Sequence, residues 1–146
     1  MEILSTGFFP KNITGFGKEV KQGHILKEPK TLFYHAAREE QAEIISWKPP
    51  TYPKNFYEVL LVFEKEQISC FIHEYYAYVA FQNKQGEYVD CEKLSAVLSP
   101  TFICLTAEML EEQFKAAYFS FDEQEQTQCA YWQPEKVGEV IFNCWD

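Results

Sequence analysis

A thiol and an imidazole three residues apart are the side chains of this sequence that come nearest to a chemical site. Cys70 and His73 are residue types that ligate zinc or pair as nucleophile and base. On a β-strand, however, residues three apart point to opposite faces, so one metal ion could not readily take both. Cys91 and Glu74 could complete a zinc site, but the pattern favours a core cysteine and a surface histidine. We therefore predict no catalytic residue, no metal ligand and no cofactor.

The cysteines are scattered singly, and their number, five, is odd. None belongs to a Cys-x-x-Cys pair, and a disulfide framework would need an even set and an export signal. The chain begins MEILSTGFFP, which lacks the basic start and apolar core of a secretory signal. No apolar run approaches the roughly 18 residues of a membrane span. We expect free thiols in a cytoplasmic protein without membrane contact. The thiols are those of Cys70, Cys91, Cys104, Cys129 and Cys144.

Carboxylates form the densest charged group in the second half of the chain. Paired carboxylates can act as general acid and base, but helix and loop positions normally carry such charge for solvation or for contact with a protein. We interpret the group as solvated surface or as an acidic patch that faces a partner. Its members are Glu111, Glu112, Asp122, Glu123 and Glu125.

Tyrosines form a second group of candidate contacts. They alternate across a predicted strand, so one face of that strand could be presented to a partner, although half-buried packing on the sheet is the other interpretation. Tyrosine is common among the residues that dominate binding energy at protein interfaces. The candidates on this strand are Tyr76 and Tyr78.

The charge of the chain excludes one class of partner. The net charge is −9, and it is distributed unevenly: residues 1–54 carry eight basic and six acidic side chains, whereas residues 55–146 carry five and sixteen. Sustained phosphate binding needs clustered Lys and Arg, and the chain has a single arginine, Arg38. We therefore expect no nucleic-acid binding. An acidic body suits a basic protein partner, which it attracts over long range.

The elements that must position these side chains centre on residues 55–83, which hold most of the strong β-formers. Successive apolar and aromatic runs predict antiparallel strands joined as a meander, with Gly86 taking a positive backbone angle in one hairpin turn. A turn at residues 64–66 separates the first two runs, and residues 102–105 predict one more short strand. The runs are 56–63, 68–71, 76–81 and 87–91.

Helical periodicity occurs on both sides of this block. Residues 31–47 predict a helix that ends before Pro49, although residues 32–34 could instead form a strand. Thr106 is expected to cap a helix that runs to Phe121 with one apolar stripe, followed by a polar loop over 122–128. Residues 94–98 predict a helical turn, and the segment from Pro134 is helical by spacing, with a terminal strand as the alternative. The sequence predicts a single α+β domain over residues 1–146. Its central antiparallel meander has about four to six strands and two or three flanking helices.

The last sixteen residues read YWQPEKVGEVIFNCWD. They resemble the VGE-x-IFN-x-WD close of small bacterial immunity proteins, the cognate inhibitors of polymorphic toxins delivered by contact-dependent inhibition or Rhs-type systems. The resemblance implies a small, often acidic cytoplasmic protein without catalysis of its own, which binds one toxin domain, commonly a nuclease. It transfers no site residue, because the matching positions have the character of core and terminus.

The function expected from these observations is stoichiometric inhibition of a cognate toxin domain. An acidic surface would occupy the basic groove of a nuclease in place of phosphate, and a few aromatic anchors would slow dissociation. The alternative is a small cytoplasmic hydrolase or transferase that uses His73 and nearby carboxylates. A scaffold or oligomer subunit built on the tyrosine-rich strands is the third possibility, and the sequence does not fix the oligomeric state.

Overall fold

The computed structural model describes residues 4–17 and 28–145. A six-stranded sheet lies at its centre, and strands β1 to β5 follow one another as an antiparallel meander. Strand β6 is the exception, because it pairs in parallel with β4, so that β5 and β6 lie end to end along one edge. The predicted α+β fold with a central meander is thus confirmed. The strands are β1 Glu43–Lys48, β2 Phe56–Phe63, β3 Glu66–His73, β4 Tyr78–Gln82, β5 Tyr88–Val89 and β6 Ile103–Cys104.

Helices cover both faces of this sheet, and the described residues hold five α-helices, more than the two or three predicted. Helices α1 and α2 pack together on one face. Helices α3, α4 and α5 lie on the other face, together with the N-terminal segment, residues 4–17. The helices are α1 Pro29–Glu39, α2 Glu92–Leu98, α3 Ala107–Glu111, α4 Glu123–Trp132 and α5 Val137–Ile141, with one 3₁₀ turn at Ala116–Tyr118.

Side-chain alternation along the strands explains why the sheet needs both layers. Residues of odd number on β2 and of even number on β3 face α1 and α2, and their neighbours face α3 to α5. Cys70 thus faces α1 and α2, whereas Phe71 packs toward Phe142 on the other side. The buried side chains under α1 and α2 include Phe33, Val59, Leu61, Ile68, Ile72, Val79, Phe81, Leu94 and Phe102.

The predicted helix over residues 31–47 is only half right. Helix α1 ends at Glu39, Gln41 takes a positive φ of 57°, and the chain continues as β1. A strand is favoured over a continued helix because β1 pairs along its length with β2, with Trp47 opposite Val59. The two halves still pack, since the rings of Phe33 and Trp47 lie 5.9 Å apart. The periodicity that suggested one helix came from two elements that contribute to the same core.

The predicted helix from Thr106 to Phe121 is also too long. Thr106 caps it as expected, with its Oγ1 accepting from the Met109 amide at 3.1 Å, but α3 ends at Glu111. The next residues extend and pair with the C-terminal segment: the Phe114 amide donates to the Glu135 carbonyl at 2.8 Å. Three aromatic rings then pack on one another instead of forming one helical stripe, and one of them stacks on the N-terminal segment. They are Phe114, Phe119 and Phe121, with Phe9 stacked on Phe119.

The polar run 122–128, predicted as a loop, opens helix α4 instead. Asp122 accepts from the Glu125 amide at 3.0 Å, and Glu125 accepts in return from the Asp122 amide at 3.4 Å. This reciprocal arrangement is a capping box, which satisfies two amides at the helix start. The Asp-x-x-Glu spacing was therefore a readable signal for a helix in a stretch that composition alone assigns to a loop.

The C-terminal segment forms helix α5 over Val137–Ile141, so its helical interpretation is correct for these residues and the strand alternative is wrong, but the helix does not extend over residues 142–145. Four of the five residues of α5 are buried, and Gly138 is among them because Tyr88 lies against it. A Cβ built on Gly138 would lie 2.8 Å from the Tyr88 hydroxyl oxygen and 2.9 Å from its Cε2. The glycine is thus required by close approach, and not by its backbone angle.

We predict that Gly138→Ala lowers the free energy of unfolding by about 1–2 kcal/mol, because the Tyr88 ring must move away from the new methyl group. Urea unfolding of the two proteins measures the difference. In a Tyr88→Ala background the same substitution should be neutral or stabilise by up to about 1 kcal/mol, since alanine is the better helix former. Equal losses in both backgrounds would contradict this origin.

Candidate functional site

His73, the residue that could have served a catalytic site, lies at the end of β3 and is 2% exposed. Its Nε2 lies 2.5 Å from the Ile13 carbonyl oxygen, and its Nδ1 accepts from the amides of Tyr75 and Tyr76 at 3.0 and 3.1 Å. A carbonyl can only accept and the two amides only donate, so the ring is neutral with its proton on Nε2. The expectation of a surface histidine is wrong, and both ring nitrogens are engaged.

His73 belongs to a buried polar network with two asparagines that joins three parts of the chain. Asn55, just before β2, donates from Nδ2 to the carbonyl of Ile141 at 2.9 Å, and its Oδ1 accepts from the Asn143 amide at 2.8 Å. Asn143 in turn donates to the carbonyl of Thr14 at 3.1 Å. These bonds satisfy backbone groups of the N-terminal segment and of the C-terminus at the end of the sheet. The network is therefore structural.

Burial lowers the pKa of His73 to about 4, against the opposing effect of its hydrogen bond with Ile13. Because the folded pKa lies below the unfolded value near 6.5, the unfolded chain binds the proton first as the pH falls, and stability is lost below about pH 6.5. We predict that the wild type loses about 2 kcal/mol more between pH 7 and pH 5 than His73→Gln does. Denaturant unfolding at the two pH values measures this. Parallel pH profiles would show that His73 does not titrate differently on unfolding.

Glu125, predicted as part of an exposed acidic loop, is 0% exposed. Its Oε1 accepts from the Asn12 amide at 2.7 Å, and its Oε2 accepts from the amide and the hydroxyl of Thr14 at 3.1 and 2.6 Å. With the Asp122 amide, the carboxylate thus has four donors. The surface expectation for Glu125 is wrong, because the N-terminal segment lies over it and uses its oxygens.

We predict that Glu125→Gln destabilises the fold by about 2–4 kcal/mol, because an amide nitrogen would face donors in a site where only acceptors fit. Glu123→Gln, two residues away on the same helix but exposed, should change stability by less than about 0.5 kcal/mol. Thermal unfolding of the pair provides the comparison. Similar effects of the two changes would mean that the carboxylate of Glu125 does not hold the segment.

The remaining predicted carboxylates do not form one cluster. Asp122 is the N-cap of α4, and Glu123 is exposed in its first turn. Glu112 is half-buried beyond α3, where its Oε1 accepts from the Tyr118 hydroxyl at 3.3 Å. Glu111 is exposed and forms an ion pair with Lys136. The structure thus leaves Glu111 and Glu123 as the fully surface members, next to different elements.

A different set of acidic side chains does converge, and we call it the acidic face. Glu111 lies on α3, Glu135 precedes α5, and Glu139 lies on α5. Lys136 lies among these three, and its pKa is raised by its hydrogen bond with Glu111 and by the charges of all three carboxylates. Glu108, exposed on the first turn of α3, extends the face.

Pairing between α3 and α5 builds the acidic face. The Val137 amide donates to the Glu112 carbonyl at 2.9 Å, and Glu139 accepts from the Lys136 amide at 2.8 Å. Beneath the face, burial raises the pKa of Tyr88 to about 12, with further contributions from the charges of Glu111 and Glu139. A hollow of about 490 Å³ opens between Glu111 and Lys136. The surface is therefore concave, negative and held by backbone hydrogen bonds.

The two candidate tyrosines serve mainly the interior. Tyr76 is 7% exposed, and its hydroxyl donates to the Lys11 carbonyl. Tyr78 is half-buried, and its ring meets that of Phe9 edge-on at 5.8 Å. The N-terminal segment therefore covers the face that these tyrosines were expected to offer, and half-buried packing is the interpretation that the geometry favours.

The cysteines are free, as expected. Cys70 and Cys129 are buried, Cys91 and Cys104 are half-buried, and Cys144 is exposed. Burial raises the pKa of the Cys91 thiol to about 11 and that of Cys129 to about 12, which keeps these thiols protonated and unreactive. Within residues 4–17 and 28–145, no three His, Cys, Asp or Glu side chains are grouped so as to hold a metal ion.

Comparison with family models, with curated proteins and with solved structures gives no match to this chain. Of the helices that the structure describes, none has both the length and the apolar character needed to cross a bilayer.

Sequence reasoning missed Glu135, Lys136 and Glu139 as surface partners of Glu111. The predicted helix through Phe121 gave no reason to expect Glu111 near the C-terminal segment. In the structure the chain leaves the helix after Glu111, and Gln113 forms an antiparallel β-bridge with Lys136. One local signal was present in the sequence. Glu139 lies three residues after Lys136, and a glutamate at that spacing typically accepts a hydrogen bond from the backbone amide of the residue that begins a helix.

Proposed function

We propose that this protein is an immunity protein, which binds a cognate bacterial toxin domain and neutralises it by occlusion. The observation that carries the proposal is the acidic face, where three glutamates from two separate parts of the sequence lie around one lysine. Such a face favours a basic protein surface, because complementary charge speeds encounter and selects partners. The likeness of the C-terminus to the close of immunity proteins supports the same function.

The mechanism follows from the chemistry of nuclease grooves, which are basic because they bind phosphate. Carboxylates presented on a preformed concave surface can take the place of phosphate oxygens opposite Lys and Arg side chains. The positive charge of Lys136 reduces the repulsion among the glutamates, and its ion pair with Glu111 holds that carboxylate in place. A toxin whose groove is occupied in this way no longer reaches its substrate.

The alternative of a hydrolase or transferase that uses His73 receives no support from the site. A general base must have a nitrogen free to take a proton from a substrate. In His73 the Nδ1 lone pair accepts hydrogen bonds from two backbone amides, and the Nε2 proton is donated to the Ile13 carbonyl. Proton transfer there would require the buried network to open.

The direct test is co-expression with the C-terminal domain of the protein encoded by the neighbouring gene. We expect rescue of growth and a 1:1 complex on purification. Failure to form a complex with that domain, together with unrelieved toxicity, would remove this function.

We further predict that Glu108→Lys, Glu111→Lys and Glu135→Lys together lower the association rate with the toxin domain by about 10- to 100-fold at low salt. The control is a matched triple reversal that changes the net charge equally at exposed glutamates outside the acidic face. Its substitutions, at the end of α1 and at the starts of β1 and β3, are Glu39→Lys, Glu43→Lys and Glu66→Lys. Stopped-flow association over a range of ionic strength measures both. Equal slowing by the two triples would assign the effect to net charge and exclude the acidic face.

A further inference from the structure

A second concave site lies where the N-terminal segment meets two loops at the end of the sheet, and we call it the Glu74 pocket. It encloses about 260 Å³, and the β1–β2 and β3–β4 connections form its other walls. Such a volume is small for a cofactor or drug-sized ligand, but it accommodates a single side chain. The lining residues that matter are Phe16, Tyr52, Pro53, Lys54, Glu74 and Tyr75.

Glu74 is the acidic group of this pocket. It is half-buried, its amide donates to the Asn55 carbonyl at 2.8 Å, and its carboxylate accepts from the Tyr75 hydroxyl. Burial raises the pKa of Glu74, and the bond with Tyr75 only partly offsets this. Among the described residues no ion pair joins Glu74 to a cation, and Lys54, which lines the same pocket, pairs with Glu58 at 2.9 Å. Within that part of the chain the carboxylate is thus partly desolvated without an ion-paired cation.

Three aromatic residues, Phe16, Tyr52 and Tyr75, line the pocket together with prolines and polar residues. Phe16 is held by a stacked contact with Trp145 at 6.3 Å, and Trp145 stacks in turn on Trp132 at 6.1 Å, with only 6° between the two planes. Tyr75 packs edge-on against the His73 ring. Tyr52 is 77% exposed at the mouth. Phe16 and Tyr75 are therefore held in place by neighbouring rings.

We infer that the Glu74 pocket binds the guanidinium group of an arginine side chain from a protein partner, and this rests on the proposed function as a protein inhibitor. Three aromatic rings beside one carboxylate match a planar cation, which stacks on rings and offers paired donors to a carboxylate, and the charge of the lining Lys54 is engaged by Glu58. Arginine suits the pocket better than lysine, because guanidinium is the more weakly hydrated cation and is planar. The charge of the acidic protein as a whole favours the same ligand.

The pocket can be tested without any partner by titrating N-acetyl-arginine amide into the protein while its tryptophan and tyrosine resonances are followed by NMR. The matched neutral probe is N-acetyl-citrulline amide, which has nearly the same shape without the charge. We expect millimolar binding of the arginine probe and at least about tenfold weaker binding of citrulline. Equal affinity for the two probes, or no saturable shift with arginine, would overturn the proposal.

Variants assign the binding to named residues. Glu74→Gln should weaken arginine binding by about tenfold, whereas Glu66→Gln, an equal charge change at an exposed strand end, should leave it unchanged. Tyr52→Ala removes a ring that is 77% exposed at the pocket mouth, and it should weaken binding by about threefold to tenfold. Arginine binding unaffected by both pocket variants would exclude this pocket as the site.

The outcomes separate this inference from the proposed function. If the protein binds arginine, loses that binding in Glu74→Gln and forms no complex with the toxin domain, the assignment of the pocket stands and the immunity function is rejected. Absence of arginine binding in a protein that rescues growth would reject the pocket and keep the function. Where both hold, Glu74→Gln should also speed dissociation of the toxin complex.

Discussion

The fold depends on the burial of the Glu125 carboxylate under the N-terminal segment. Its two oxygens accept from the backbone at Asn12 and Thr14 and from the Thr14 hydroxyl, which fixes a stretch of chain that belongs to no helix or strand. Buried backbone amides must find acceptors, and irregular chain has no regular ladder of carbonyls to supply them. One side chain of α4 supplies acceptors for the amides of Asn12 and Thr14, and so the helix layer and the segment are held in one arrangement. The cost of burying a charge is met by four donors.

Both candidate binding surfaces follow from this arrangement. The segment that Glu125 fixes continues into Phe16, which forms one wall of the Glu74 pocket. On the other side, α4 leads to Pro134 and to the pairing that brings Glu135 beside Glu111. The asparagine and histidine network acts at the same junction and ties Asn143 to Asn55. Polar groups in the interior therefore position the charged and aromatic groups at the surface.

Local pattern was enough for strands β2 to β6, but it assigned β1 to a helix and was insufficient for much of the helical layer. The runs that became β2, β3 and β4 carry β-branched and aromatic residues whose alternation is set by neighbours along the chain, and the meander follows from short turns such as the one at Gly86. The end of α3 depends instead on a bridge between Gln113 and Lys136, and no local signal encodes such a distant partner. The burial of Glu125 and His73 has the same origin, because each is covered by residues more than fifty positions away. The Asp122 capping box was the exception, a local signal that was present but outweighed by polar composition.

The edges of the sheet limit how anything can bind to it. Strand β1 is an outer strand, yet its pairing with β2 is interrupted by a bulge between Ile44 and Ser46, and charged Glu43 and Lys48 stand at its ends. The opposite edge is divided between β5 and β6, two residues each. Bulges, charges and short strands are the features by which proteins prevent the addition of a foreign strand. Neither edge offers a long row of open backbone groups, so self-association and aggregation through strand addition are discouraged, and recognition is left to side chains.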